Sequence, residues 1–285
     1  MTAFLDHMAT GTTEVCRCWR LTRADGVVMG FTDHDRDLSF DGTLFRADTG
    51  LAAKAIAQGT GLSVDNTEAL GILSTSAIRD DEIEAGRYDG AEIEAWLVRW
   101  SDTSARMLRF RGHIGEISRG GGAFTAELRG LTDLLNLPMG RIYQPLCQAN
   151  LGDAQCGVDF EGDGLVEELT ADSIEAGREF RFTGLGLYAD RWFERGTLAA
   201  LDGAAAGLSG VIKTDRLQSD GTRHVTLWSP IRAEVTGATL LRLTPGCDKR
   251  MATCRDKFLN MVNFRGFPTI PGDDWLVAVP RERGA

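Results

Sequence analysis

The sequence predicts a mainly β protein with short helices (α+β), folded as two β-rich domains, the second a small barrel or sandwich. Three observations carry this expectation. The chain has 285 residues, 43% of them hydrophobic and 25% charged, more than one ordinary domain needs and enough for two cores. Short runs of alternating apolar and polar residues recur along it, punctuated by turns rich in its 34 glycines. Helical periodicity is sustained in a single long stretch, 248–260.

Taken in order, residues 2–9 form a short opening helix. Residues 14–22 alternate as a strand, Ala24-Asp25-Gly26 turns, and Val27 to Thr32 returns as the second arm of a hairpin. A second hairpin spans Leu38 to Phe45, turning at Asp41-Gly42. Residues 80–86 make a short acidic helix. Ala91 to Trp100 sets Ile93, Ala95 and Leu97 against Glu92, Glu94 and Trp96, the pattern of a half-buried strand. Met107–Ser118 and Ala123–Leu128 pair across Gly120-Gly121-Gly122, and Leu131 to Leu137 is a helix ended by Pro138.

Pro138 divides the chain into domains 1–138 and 139–285. The second opens on Cys147 to Cys156 and continues in strands at Glu179–Thr183, Trp192–Leu201, Gly210–Leu217, His224–Trp228 and Ala238–Leu243. The helix Asp248–Asn260 follows, its first carboxylate placed at the positive end of the dipole, with Met251, Cys254, Phe258 and Met261 on one face. An irregular loop, Phe264 to Gly272, comes after it.

A formal net charge of −10 argues against a primary role in gripping nucleic acid, because phosphate contacts need clustered Lys and Arg. Residues 1–10 contain no basic side chain other than His7 and lead into no apolar run, and no stretch approaches the roughly 20 apolar residues of a membrane span. The expectation is a protein made and folded in the cytoplasm, where paired cysteines more often bind metal or do chemistry than form disulfides.

The six cysteines fall into pairs. Cys16 and Cys18 point to one face of a strand and read as core. Cys147 and Cys156, and then Cys247 and Cys254, bracket turns or helix starts, with Gly157 and Gly246 adjacent. These four are reduced core thiols, disulfides, or ligands of a tetrahedral zinc or an iron–sulfur cube. Gaps longer than a zinc knuckle's tilt the choice between metals toward iron–sulfur.

Other polar groupings carry less. Asp33-His34-Asp35-Arg36-Asp37 offers oxygen ligands for a divalent cation but lacks the spacing of a calcium loop, and reads as a solvated turn. His113 and His224 stand alone in strands. No P-loop, nucleophile elbow, zincin helix or dinucleotide fingerprint occurs, so no catalytic constellation is assigned.

The C-terminal motif Gly246-Cys247-Asp248-Lys249-Arg250, Cys254-Arg255-Asp256-Lys257-Phe258, Asn260 and Asn263-Phe264-Arg265-Gly266-Phe267-Pro268, then Pro271-Gly272, resembles the signature of the phage BR0599 family. Tyr143-Gln144-Pro145-Leu146-Cys147 and Gln155-Cys156-Gly157-Val158 are similar to that family's opening cysteine pair. Phe31 to Leu38 and Asp65-Asn66-Thr67-Glu68 resemble the DUF2163 domain commonly fused to it. The resemblance implies a structural, non-enzymatic hub in the tail baseplate of a phage or gene transfer agent. It implies a homotrimeric ring between the distal tail protein and the large, megatron-like tip protein, with a tail-associated peptidase as a further neighbour. No specific nucleic-acid binding and no stable membrane insertion go with it. It further implies that the C-terminal barrel or sandwich is closed by a four-cysteine cluster, an iron–sulfur cluster of [4Fe-4S] type on Cys147, Cys156, Cys247 and Cys254, with zinc as the alternative metal. A zinc-stabilised interaction module and an iron–sulfur redox enzyme are the competing classes.

Overall fold

A computed structural model describes residues 2–47, 51–53, 66–72, 78–120, 123–130 and 140–271. The chain divides into two compact units, 1–138 and 139–285. It is mostly β, in two sheets.

The first unit opens with helix α1 (Thr2–Met8), which buries Phe4 completely. Strands β1 (Val15–Thr22) and β2 (Val28–Thr32) pair as the expected hairpin, Trp19 opposite Phe31. Strands β3 (Leu38–Phe40) and β4 (Thr43–Arg46) form the next, and their turn sets both Asp41 and Gly42 at positive φ, 48° and 71°. That is the handedness a two-residue hairpin needs, and Asp-Gly supplies it at low steric cost. Next in chain order come β5 (Leu51–Ala53), β6 (Asn66–Ile72), helix α2 (Asp80–Glu84), β7 (Glu92–Arg99), β8 (Arg106–Gly120) and β9 (Ala123–Gly130). The sheet order is β3-β4-β2-β1-β7-β8-β9-β6-β5. The expected helix at 131–137 lies outside the described residues.

Strand β7 departs from the half-buried reading, because the sheet buries both of its faces there. Ile93 and Ala95 join Trp19, Leu21, Phe31 and Phe110 in one cluster. Val98 and the partly buried Trp96 join Cys16, Cys18, Phe40 and Phe45 in another on the opposite face. A bulge opposite Ala95–Trp96 inserts an extra residue in β8, and beyond it Val98, not Leu97, is the fully buried position. Glu94 is tolerated near this core because Arg20 bonds its carboxylate through Nε at 2.8 Å.

The second unit is a half-barrel. Its strands are β10 (Glu167–Leu169), β11 (Ser173–Glu175), β12 (Glu179–Phe182), β13 (Thr197–Ala200), β14 (Ser209–Leu217), β15 (Arg223–Leu227) and β16 (Leu241–Leu243), ordered β10-β16-β13-β14-β15-β12-β11. The two edge strands, β10 and β11, are consecutive in the chain and joined by residues 170–172 alone. That short tether forces the sheet to curl. Phe180, Phe182, Phe193, Leu198, Ile212, Leu227, Leu241 and Leu243 fill the inside.

An ion pair lies in that core, Arg223 with Asp215, both fully buried. Arg223 Nη1 reaches both carboxylate oxygens at 2.7 Å, and Asp215 Oδ2 accepts the Phe193 N–H at 2.7 Å. Nη2 donates to the carbonyls of Leu185 and Ala189 at 3.2 and 3.3 Å. The pair thus ties the 185–193 loop to the barrel floor.

Three expected elements change in this unit. The strand 192–201 shrinks to β13, because Arg191 and Arg195 take positive φ, 63° and 69°, and turn the chain before Thr197. Of 238–243 only Leu241–Leu243 is strand. The helix 248–260 shrinks to α3 (Met251–Asp256), with a 3-10 turn at Met261–Asn263. Lys249 at φ 66° and Leu259 at φ 48° break it at either end. Asp248 therefore precedes the helix, and its Oδ1 accepts the Arg250 N–H at 3.0 Å.

Candidate functional site

The four C-terminal-unit cysteines come from two stretches of chain, 147–156 and 247–254. Cys147 lies in the extended segment 141–150, and its N–H donates to the Lys249 carbonyl at 2.8 Å. Cys156 ends a turn built by Asp153, whose carboxylate accepts the N–H groups of Cys156, Asn150 and Gln155 at 2.7, 2.8 and 2.9 Å. Those donors, Cys156 N–H foremost, hold the Asp153 carboxyl below its ordinary range. Gly157 follows at φ 69°, in the left-handed region that a side chain resists. Cys247 sits in the loop before α3, and Cys254 lies within α3.

All four line one small cavity of about 10 Å³, room for roughly one water, together with Ala149, Val158, Phe258 and Asn260. The structure therefore brings together residues 147, 156, 247 and 254. None of the six cysteines is in a disulfide. Among the described residues, no three of His, Cys, Asp and Glu are drawn tightly enough around one point to hold a metal ion as they stand.

The chemistry of the surroundings favours sulfur anions. Lys249 N–H points at Cys247 Sγ at 3.3 Å and Arg265 N–H at Cys147 Sγ at 3.4 Å. Asn260 Nδ2 lies 3.8 Å from Cys156 Sγ. Backbone N–H groups aimed at sulfur stabilise a thiolate. Cys254 differs, since its Sγ donates to the Asn260 carbonyl at 3.2 Å. Burial pushes its thiol up to about 11, helped by the three neighbouring sulfurs, which oppose a further negative charge. Burial raises Cys247 as well. Sites of crowded, desolvated thiols hold their protons until a cation replaces them. Four thiols, no lining carboxylate or imidazole, and N–H donors on the sulfurs make a donor set that fits zinc or an iron–sulfur centre.

Gly246 is pressed against neighbouring backbone. A Cβ there would lie 1.7 Å from the Glu194 carbonyl oxygen, so glycine is needed for packing against the 191–196 turn. Lys257, not singled out in the sequence, supports the same turn. Its Nζ donates to the carbonyls of Trp192 and Gly246 and sits 4.5 Å from the Trp192 ring centre. Burial pulls its pKa down to about 8. Asn260, likewise missed, is the bridging residue, and only its place in the C-terminal motif marked it.

The remaining candidates lie elsewhere. Cys16 and Cys18 are buried core thiols of the first unit, bonded to the Val98 carbonyl and the Thr32 hydroxyl. The 33–37 cluster spends side chains on backbone N–H groups of its own turn and of the neighbouring chain. Asp33 accepts the Arg17 N–H, His34 Nδ1 the Arg36 N–H, and Asp37 the Ala47 N–H. Among the described residues no helix is long and apolar enough to cross a membrane.

None of the curated proteins matches the chain. Two family models do. The model described as baseplate hub protein, N-terminal attachment domain, matches residues 1–159, and that described as phage conserved hypothetical protein BR0599 matches residues 191–274. The first cysteine pair thus falls in one model and the second pair in the other. Among solved structures, a chain of the "Virion of native gene transfer agent (GTA) particle" is 52% identical. It covers 100% of this chain and 98% of its own length, with a TM-score of 0.90. Matched over more than half its length by the hub model, and along its whole length by this virion chain, the protein belongs to the baseplate hub family.

Proposed function

We propose that this chain is the structural hub of a phage-like tail baseplate, assembled in the host cytoplasm and carried in the particle, with its C-terminal unit clipped by a metal centre on Cys147, Cys156, Cys247 and Cys254. The observation that carries the second half of this reading is the convergence of those four thiols, from both ends of the half-barrel, on one cavity. The hub assignment implies a homotrimeric ring joining the distal tail protein to the large tip protein, with a tail-associated peptidase nearby, and a scaffold role in place of catalysis.

An iron–sulfur cluster is the first choice for the group. Bound there, it supplies cross-linking of a kind that survives a reducing cytoplasm, where a disulfide does not. The chain's own residues do the rest. Asp153 fixes the Cys156 turn, Lys249 and Arg265 direct N–H groups at two sulfurs, and Phe258 and Val158 exclude water. Tying residue 147 to residue 254 closes a loop of about a hundred residues, worth on the order of 4–5 kcal/mol by loop-closure entropy. Zinc is the second reading, favoured by the small size of the cavity, which suits one ion better than a four-iron cube.

Metal and acid-labile sulfide analysis of anaerobically purified protein tests the assignment. Iron with matching sulfide supports the cluster, and one zinc per chain supports the second reading. Neither metal, with all four thiols open to alkylation in the native protein, sinks both. Incorporation into tail particles tests the hub role separately.

A further inference from the structure

The four thiols around the cavity do not have equivalent neighbours. Cys247 Sγ receives the Lys249 N–H at 3.3 Å, and Cys147 Sγ receives the Arg265 N–H at 3.4 Å. Cys156 Sγ has the Asn260 amide nitrogen, Nδ2, at 3.8 Å. Each of these sulfurs faces a donor, which favours the thiolate and therefore the ligand. Cys254 Sγ faces an acceptor instead, and donates its own proton to the Asn260 carbonyl at 3.2 Å.

That carbonyl is held in place. Asn260 N–H donates to the Cys254 carbonyl at 3.0 Å, Nδ2 donates to the Cys156 carbonyl at 2.6 Å, and Oδ1 accepts Asn263 Nδ2 at 2.7 Å. With the residue so fixed, its carbonyl does not swing away freely when the Cys254 proton leaves. Holding a cation through Cys254 thus forfeits a hydrogen bond and turns a carbonyl lone pair toward a sulfur anion. Holding one through Cys147 or Cys247 keeps the N–H bond and strengthens it, because the acceptor is now charged.

We propose, resting on the four-cysteine site, that Cys254 is its exchangeable ligand, the first sulfur to leave. As the bond from Cys254 Sγ to the metal breaks, an incoming water or small thiol gives its proton to that sulfur and takes the vacated position as the anion. The Cys254 S–H then bonds the Asn260 carbonyl again. Asn260 keeps its bond to the Cys156 carbonyl throughout, so the two cysteine-bearing segments stay joined while the ligand exchanges. Access alone predicts a different order. Cys254 and Cys156 are each 9% exposed, whereas Cys147 and Cys247 are half-buried and would be reached first.

Protection from iodoacetamide tests this in the full-length protein. Peptide mass spectrometry reads the initial alkylation rate of each cysteine with metal bound and after chelation. The ratio of the two rates, chelated over metal-bound, cancels differences in access and reactivity. Where the protein is isolated without metal, one equivalent of Zn²⁺ is the probe. The ratio for Cys254 is expected to lie roughly tenfold or more below each of the other three. Arg265→Pro deletes the N–H aimed at Cys147, and Phe264 already holds φ −64° and ψ 124°, a conformation suited to the residue before a proline. This variant is expected to lower the Cys147 ratio toward that of Cys254 and leave Cys247 unmoved, with far-UV circular dichroism checking that it folds. The order of the four ratios in the unsubstituted protein decides the proposal whether or not the variant folds. Equal ratios, a lowest ratio at another cysteine, or an unmoved Cys147 in folded Arg265→Pro protein would overturn the proposal and leave the four-cysteine site standing. Protein that takes up neither iron nor zinc would overturn both.

Discussion

Asn260 donates from Nδ2 to the carbonyl of Cys156 at 2.6 Å, joining two cysteine-bearing segments 104 positions apart. The same residue accepts the Cys254 thiol at its own carbonyl, and its Oδ1 accepts Asn263 Nδ2 at 2.7 Å. One amide therefore links the first cysteine pair to the second through protein atoms alone. Asn260→Ala leaves the partly buried Cys156 carbonyl without its donor and is expected to cost about 1–3 kcal/mol. Urea unfolding measures this, and an unchanged midpoint would show that the bridge carries no stability.

The Arg223–Asp215 pair is expected to behave as a buried unit. Arg223→Met strands a carboxylate in the barrel core and should cost about 3–5 kcal/mol, with Asp215→Leu similarly severe. The double variant removes both charges and should be milder than the sum of the two. A double-mutant cycle by chemical denaturation decides it, and strict additivity would refute the coupling.

Removal of one thiol tests the clip. Cys254→Ser is expected to abolish stoichiometric metal and lower the thermal midpoint, with a loss approaching the roughly 4–5 kcal/mol of the closed loop. Chelation of the unsubstituted protein should reproduce the shift. A variant that retains metal and melts unchanged would remove Cys254 from the ligand set.

Alkaline titration reads one buried phenol, Tyr88, and one partly buried phenol, Tyr188. Burial, then a bond to Glu82, pushes Tyr88 up to about 12, and burial with a bond to Glu167 does the same for Tyr188. A raised phenol pKa means the folded state holds its proton longer than the unfolded chain does. The stability gained is whole below the ordinary value of 10 and is lost as pH rises through 12. Tyrosinate absorbance should therefore show both phenols ionising late, with unfolding in the same window. Tyr88→Phe should flatten the stability loss above pH 10, and an unaltered slope would contradict the assignment.

Much of this fold was legible residue by residue. Asp41-Gly42 between alternating runs announces a two-residue hairpin, and both residues take the required positive φ. The acidic run 80–84 becomes helix α2, and Cys16 and Cys18 share a buried face. What failed depended on distant neighbours. The helix expected from Asp248 loses both ends because Lys249 and Leu259 are bent into the left-handed region by the surrounding loops. β10 and β11 have three residues each, too few for any period to show. Arg223, a charged residue just before the expected strand His224–Trp228, gave no sign that it would lie in the barrel core.

The sequence by itself determined the local conformations, the two-domain organisation it predicts and, through its cysteine motif, the family resemblance. Those properties are set by side-chain period, turn chemistry and residue spacing, all within a few residues of chain. Only the tertiary structure decided that four thiols up to 107 positions apart line one cavity and that Asn260 bridges them. Long-range convergence depends on how the sheet curls and which loops its tethers allow, and no local pattern encodes that.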